Sequence, residues 1–402
     1  STGEAIVLAG PNVVVKGPPY LPATTGTTIC NDVVNPQCTA TGTCTSCETF
    51  NEADVAHLKS LNWNVIRLGV VWAGAQPTDS DSLDPTFVER LHAVLNLTDA
   101  NHIHVVLDNH GDMVGTAGCG NGIPMWVAQK AAPQLIGKQI KTDFPYSLFV
   151  NVDKVDGYSA CDGNETAWQE HAGDPNYNLL NRCCLAMNSP NPGGLGYTTI
   201  AQAQMDYILT DPGRDDFVRF WRLLAQEVAQ HPSAFAAELM NEPMSIRRAA
   251  MYETWQACAE AINAVIPDMS VALADTGEGA IIPAWVEKID ADLDIPTSVE
   301  DFIKASSTLF YAFHYYSNPA TPQEAIANVQ ELQAKWDVPA FATEFGDCKV
   351  WALTKAANIS HMYWHYSSYC TTGPAFGNRT VPTDTFGGCM LGWAGGNSSN
   401  CV

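Results

Sequence analysis

No run of ~18 apolar residues occurs anywhere in the 402-residue chain, so it holds no span for a lipid bilayer. Positive charge is scarce. Twenty Lys and Arg stand against 43 Asp and Glu, a net charge of −23. Nucleic acid and anionic membrane surfaces are therefore repelled, and a neutral substrate fits better. Charged residues make up only 16% of the chain against 46% hydrophobic, which favours a large buried core over disorder. Several reaction motifs are also missing. No Gly-x-Ser-x-Gly elbow points to a serine hydrolase. The glycine-rich stretch 115–122 lacks the Gly-Lys-Ser/Thr ending of a phosphate loop, and no G-x-G-x-x-G opens a helix after the first strand. No signal peptide is visible at Ser1, so the chain is expected to be already processed.

What the chain does have is cysteine. Thirteen are present, at 30, 38, 44, 47, 119, 161, 183, 184, 258, 348, 370, 389 and 401. That number is ordinary for an extracellular protein and high for a cytosolic one. Five Asn-x-Ser/Thr sequons, at Asn96, Asn164, Asn358, Asn378 and Asn397, agree with a secreted glycoprotein from a eukaryotic secretory pathway. The cluster 30, 38, 44 and 47 has the density of a zinc site, but in that compartment disulfides are the expected use. Cys183 and Cys184 are expected to pair with different partners, and the odd total leaves at least one thiol free or bridged between chains.

Short β-rich runs alternate with helical patterns along the whole length, the signature of a parallel sheet wrapped by helices. Strands are expected at 12–15, 65–70, 104–108, 235–240, 271–274, 309–314, 340–344 and 362–365. Helices are expected at 52–61, 85–97, 215–230, 247–265, 283–289, 322–336 and 351–357. In 215–230 the apolar residues Phe217, Phe220, Trp221, Leu224 and Val228 share one helical face. Eight strands in this order predict a single α/β domain over 1–402, a (β/α)8 barrel. Two stretches depart from the ideal. Residues 111–212 form a long excursion after the third strand, punctuated by short helices, for example at 199–209, and are expected to roof the cleft. Residues 370–402 form an irregular, cysteine-bearing tail.

Catalytic groups of such a barrel sit where strands end at the C-terminal face. The strand ends here read Arg67, Asp108-Asn109-His110, Asn241-Glu242-Pro243, His314-Tyr315-Tyr316, Thr343-Glu344-Phe345-Gly346 and Tyr363-Trp364. Two carboxylates facing each other across one mouth suit glycoside hydrolysis, in which one protonates the leaving oxygen and the other meets the anomeric carbon.

This constellation resembles glycoside hydrolase family 5, in the large clan of retaining barrels. Its eight characteristic positions all find a match, in Arg67, His110, Asn241, Glu242, His314, Tyr316, Glu344 and Trp364. The resemblance implies Glu242 as acid/base, with a raised pKa, and Glu344 as nucleophile. It implies that Asn241 bonds the sugar 2-hydroxyl, that Tyr316 donates to Glu344, and that Arg67 keeps Glu344 ionised. His110 and His314 would position the sugar and the acid/base, and Trp364 would floor the sugar site. The runs Leu107-Asp108-Asn109-His110-Gly111-Asp112 and Gly120-Asn121-Gly122-Ile123-Pro124-Met125-Trp126 are similar to the endoglycoceramidase branch, as is Arg67-Leu68-Gly69-Val70-Val71-Trp72. Asn109-His110-Gly111 stands where that branch commonly has Met-His-Gln. Asp112, which ends the first of these runs, is also among the expected substrate contacts. A glycolipid glycan, a β-glucan or an oligosaccharide is the implied substrate, with an endo-β-1,4-glucanase as the alternative.

Trp72 and Trp126 flank these motifs and are expected to stack on sugar; Trp168, Trp285 and Trp393 are expected to pack. Glu238, four residues before Glu242, is expected to pair with an arginine deeper in the barrel rather than to act as a third catalytic carboxylate. His102 and His104 lie at the start of their strand, on the face opposite the mouth, and read as structural, and Tyr315 as packing. No metal or organic cofactor is implied, and the chain is expected to be a monomer. The competing readings are a metal-dependent hydrolase on the same barrel and a catalytically silent carbohydrate-binding barrel.

Overall fold

The computed structural model describes residues 6–15, 20–25, 50–112, 114–118, 120, 122–136, 140–148, 196–279, 295–316, 321–346, 348–364, 366, 369–371 and 379–382. The expected helix at 283–289, most of the cysteines and Trp168, Trp285 and Trp393 lie outside them.

Eight parallel strands close into a barrel in sequence order: β1 (Ala9–Val13), β2 (Val65–Gly69), β3 (His104–Asp108), β4 (Ala234–Glu238), β5 (Ser270–Gly279), β6 (Leu309–Tyr315), β7 (Ala340–Phe345) and β8 (Ser360–Tyr363). β8 returns to β1 with Gly10 opposite Met362, so no edge is left unpaired. Every expected strand is present. β1 starts three residues earlier than position 12, and β5 runs five residues past 274.

Helices wrap the outside: α1 (Glu52–Ser60), α2 (Trp72–Ala75), α3 (Pro85–Asn101), α4 (Met125–Ala131), α5 (Thr199–Ile208), α6 (Gly213–Val228), α7 (Arg248–Asn263), α8 (Thr297–Ala305), α9 (Pro322–Trp336) and α10 (Cys348–Ala356). Local chemistry sets their ends. Asp84 caps α3 ahead of Pro85, and His102 closes it in the left-handed region at φ 56°. Thr321 and Glu324 form a capping box on α9. The apolar face of α6 is buried as its spacing requires. Each such Phe or Leu contributes ~1.5–3 kcal/mol by leaving water. Cys258, on α7, is a buried free thiol. In the tail, Tyr369–Thr371 and Arg379–Pro382 pair as a short antiparallel ribbon, more order than the sequence suggests.

Alternation along the strands separates two cores. Val65, Val106, Ala236, Ala272, Phe310, Ala312, Phe341 and Met362 fill the barrel interior, while neighbouring positions pack against the helices. Two residues beyond the interior layer, the inward positions become polar: Arg67, Asp108, Glu238 and His314. Glu344 breaks this step, lying three residues after Phe341. The register slips between Phe313–Ala342 and His314–Glu344, so β7 carries one extra residue there. A bulge of this kind re-aims the following side chain, and here it turns Glu344 inward beside His314.

Candidate active site

Arg67 is the hub. Its side chain is fully buried. Nε and Nη2 donate to the two oxygens of Glu238 at 2.9 and 2.8 Å. Nη1 donates to Glu344 Oε2 at 3.0 Å and to Asn12 Oδ1 at 2.8 Å, and Nη2 also donates to Asn241 Oδ1 at 2.9 Å. Asp108 lies 2.9 Å from Nη2. A planar fork with five donors is suited to fixing several acceptors at once. The arginine that Glu238 was expected to meet is thus Arg67 itself.

Glu344 is held at both oxygens, with Tyr316 Oη donating to Oε1 at 2.5 Å. His314 Nδ1 stands between the two carboxylates, 2.9 Å from Glu242 Oε1 and 3.8 Å from Glu344 Oε2. Its Nε2 lies 3.5 Å from Glu238 Oε1. One oxygen of Glu242 and one of Glu344 come within 4.8 Å of each other. The Glu242 backbone takes a left-handed φ of 39°, rare outside glycine and common where a functional side chain is forced into position.

His110 stacks on Trp364 with ring centroids 5.1 Å apart and planes 12° from parallel. Its Nδ1 lies 2.8 Å from Asp108 Oδ2, and its Nε2 3.4 Å from Asp112 Oδ1. Asn241 is buried, and its Nδ2 has no acceptor among the described residues. Beside Glu242 and Asn241 the wall turns apolar, with Val114, Ile123, Met240 and Met244 lining a hollow. Gly122 makes this wall possible. A Cβ there would fall 2.5 Å from Gly111 Cα, so the two ends of the 111–122 loop cross only as glycines.

Electrostatics follow from this crowding. Burial alone would lower the His314 imidazole, but the surrounding carboxylates of Glu344, Glu238 and Glu242 push it up to about 10. Burial opposes ionisation of Glu238, yet Arg67 and His314 hold it down to about 2. For Glu344 burial prevails. Together with the charge of Glu242 it raises the carboxyl above its ordinary value, against the pull of His314, Arg67 and His110. The arginine contact expected to keep Glu344 ionised is present, but it is shared with two other acidic groups, Glu238 and Asp108. His110 is raised by Asp108 and Asp112 despite its burial.

Nine of the eleven expected site residues therefore meet at the mouth: Arg67, His110, Asp112, Asn241, Glu242, His314, Tyr316, Glu344 and Trp364. The other two do not. Trp72 is 0% exposed, packed between Trp126, Phe217 and Phe220, with its indole N–H on Gln76 Oε1. Trp126 is 7% exposed, donates to Gln76 O and lies under Lys130. Neither face is open to a sugar, so both are corrected from stacking platforms to core. Two residues escaped the sequence reading. Asn12, on β1, bridges Arg67 to the carbonyls of Thr343 and Tyr363. Tyr197 arrives from the far end of the excursion and stacks on Tyr146 at 5.6 Å. Burial and the nearby charge of Glu242 push its hydroxyl up to about 12. Asn12 was a polar residue inside an apolar strand, a usable signal. Nothing in the sequence around Tyr197 placed it there.

Residues 27–155 and 196–369 match the family described as Cellulase (glycosyl hydrolase family 5). The chain belongs to glycosyl hydrolase family 5 and is an O-glycoside hydrolase of the retaining clan. It is 23% identical to endoglycoceramidase I of Rhodococcus hoagii over 96% of this chain and 70% of that one. It is 26% identical to endoglycoceramidase of Hydra vulgaris over 58% of this chain, a match that spans only 36% of the relative's length. Among solved structures, endo-glycoceramidase II from Rhodococcus sp., captured as a lactosyl-enzyme intermediate, aligns with a TM-score of 0.59 at 17% identity over 93% of this chain and 76% of that one. An endogalactoceramidase aligns with a TM-score of 0.57 at 14% identity over 90% and 71%.

Proposed function

We propose that Glu344 is the nucleophile and Glu242 the acid/base of a double displacement on β-linked glucosides, with the glycan of a glycolipid as the first substrate class. The separation of the two carboxylates carries this reading. Their closest approach, within 4.8 Å, suits direct attack by one of them, whereas an inverting pair stands ~6.5–9.5 Å apart to admit water. The asymmetry of their partners assigns the roles. Glu344 is pinned at both oxygens by Arg67 and Tyr316, as a nucleophile requires, while Glu242 is the more exposed and is touched by His314.

In the first step Glu344 attacks the anomeric carbon while Glu242 gives its proton to the departing oxygen. Glu242 then takes a proton from the water that releases the sugar from Glu344. The buried Asn241 Nδ2 is free to donate to the sugar 2-hydroxyl, a bond that strengthens in the transition state. Trp364 and His110 would floor the sugar, and Asp112 would bond it near the rim.

The endoglycoceramidase relatives favour a glycolipid, and the apolar wall of Met240, Met244, Ile123 and Val114 lies on the acid/base side, where the leaving group departs. The cellulase description of the family favours the second reading, an endo-β-1,4-glucanase without a lipid substrate. A matched panel of glycosphingolipids, cellooligosaccharides and mixed-linkage β-glucan separates them. Release of intact oligosaccharide from the lipid supports the first; cleavage of the glucans with the lipids untouched supports the second. The excursion 111–212 is proposed to roof this cleft, which the approach of Val114 and Tyr197 to Glu242 supports. We also propose a secreted, glycosylated monomer. Asn96 and Asn358 are both exposed, and a mobility shift on deglycosylation with a single-chain mass by light scattering tests this.

A further inference from the structure

We propose that Glu242, His314 and Glu344 together form a binding site for a divalent transition-metal ion such as Zn2+, and that filling it shuts the sugar out. The three residues offer one nitrogen and two carboxylate oxygens, all within 4.8 Å of one another. His314 Nδ1 is already 2.9 Å from Glu242 Oε1 and 3.8 Å from Glu344 Oε2. Tetrahedral zinc, with bonds of ~2.0–2.2 Å, asks for ligand atoms roughly 3.3 Å apart. A rotation of Glu242, the most exposed of the three, that moves its oxygen by up to ~1.5 Å toward Glu344 brings the set closer to that spacing.

The donor set selects the kind of ion. Imidazole with carboxylate suits Zn2+, Cu2+ or Ni2+, while Ca2+ and Mg2+ call for six or more oxygens and would find too few here. The ring nitrogen of His314 that would not ligate faces the buried carboxylate of Glu238 at 3.5 Å, the arrangement that orients an imidazole and makes it a stronger ligand. Glu344 is braced by Tyr316, so its ligating oxygen does not have to be ordered on binding. Charge also permits it. Four carboxylates, of Asp108, Glu238, Glu242 and Glu344, surround a centre whose remaining cationic side chains are Arg67 and His110, because His314 gives up its proton to ligate. Arg67, 3.0 Å from Glu344, opposes the ion and weakens the site, which fits a reversible inhibitor better than a resident cofactor.

Binding does not depend on the glycosidase reading; its inhibitory consequence does. The test uses the whole chain, stripped with a chelator and titrated with Co2+ as a spectroscopic probe, with and without an iminosugar that fills the sugar site. One equivalent of Co2+ should give a visible d–d band that disappears in His314→Ala and in the isosteric Glu344→Gln, and that the iminosugar displaces. Added Zn2+ should abolish hydrolysis, and a chelator should restore it. A band unchanged in both variants, simultaneous binding of ion and iminosugar, or stimulation by Zn2+ would overturn the proposal. Hydrolysis without any His314-dependent band overturns the metal site and leaves the glycosidase standing. A displaceable band in a chain that cleaves no glycoside does the reverse.

Discussion

Replacing Glu238 by glutamine keeps the shape of the side chain and deletes one buried negative charge. In the native protein its oxygens accept from Arg67 Nε at 2.9 Å and Nη2 at 2.8 Å, and Glu238 and Arg67 are almost completely buried. The variant turns an amide N–H toward the guanidinium donors and leaves Arg67 short of one counter-charge. Breaking a buried pair from one side costs ~3–5 kcal/mol. Asp108 at 2.9 Å and Glu344 at 3.0 Å still balance Arg67, so the lower end, ~3 kcal/mol, is expected. An unfolding entropy of ~2.1 cal/mol/K per residue gives roughly 0.8 kcal/mol per degree for this chain, so the midpoint should fall by ~3–4 °C near pH 5.5. Urea unfolding should show the same loss with an unchanged m-value.

The pH dependence adds a signed check. Glu238 is depressed to about 2, so its contribution is present above its ordinary value of 4.5 and is lost as pH falls toward 2. His314 is raised to about 10, so its contribution is complete below 6.5 and is lost as pH rises toward 10. The difference between native protein and variant should therefore be largest between those two ordinary values and should shrink on both sides. A midpoint within ~1 °C of native at pH 5.5, with parallel pH curves, would refute the idea that this charge pair holds the barrel mouth together.

Further outcomes follow from the same geometry. Glu344→Gln should abolish turnover, by ~10⁴-fold or more in kcat, with circular dichroism unchanged. Glu242→Ala should lose hydrolysis of natural glycosides yet retain much of it on aryl glycosides whose leaving group needs no proton. Because burial and Glu242 raise the Glu344 carboxyl, and the attacking form is the anion, kcat/KM should fall on the acid side through a pKa above 4.5, measurable from a pH–rate profile. Trp72→Ala should destabilise the fold by ~3–5 kcal/mol, with KM unchanged for whatever enzyme remains folded, because the ring is packed and not open to sugar.

Much of the barrel was legible because parallel strands buried on both faces read as apolar runs, and the polar residue that ends each run marks the mouth. His104–Asp108 and Pro322–Trp336 fall where the pattern puts them, the second fixed by its Thr-Pro-x-Glu start. Thr297–Ala305 was missed although Val299, Phe302 and Ile303 carry helical spacing, because nine residues give a weak period. The inward aim of Glu344 was not readable from alternation; strict two-residue stepping from Phe341 points it outward, and only the register slip beside His314 corrects it. Trp72 and Trp126 misled for a related reason. Proximity in sequence to a catalytic motif says nothing about which side of the backbone a ring takes, and α2 turns Trp72 into the helix layer. The excursion hid Tyr197, since residues far apart in sequence meet there without a periodic signal.

The central claim is that Glu344 attacks the sugar and carries it covalently. A 2-deoxy-2-fluoro-β-glucoside with an activated leaving group slows release of the intermediate, and peptide mapping by mass spectrometry then locates it. One sugar on the peptide containing Glu344, with activity lost in step with labelling, is the predicted result. A label on Glu242, or prompt turnover with inverted anomeric configuration and no label, would contradict the account.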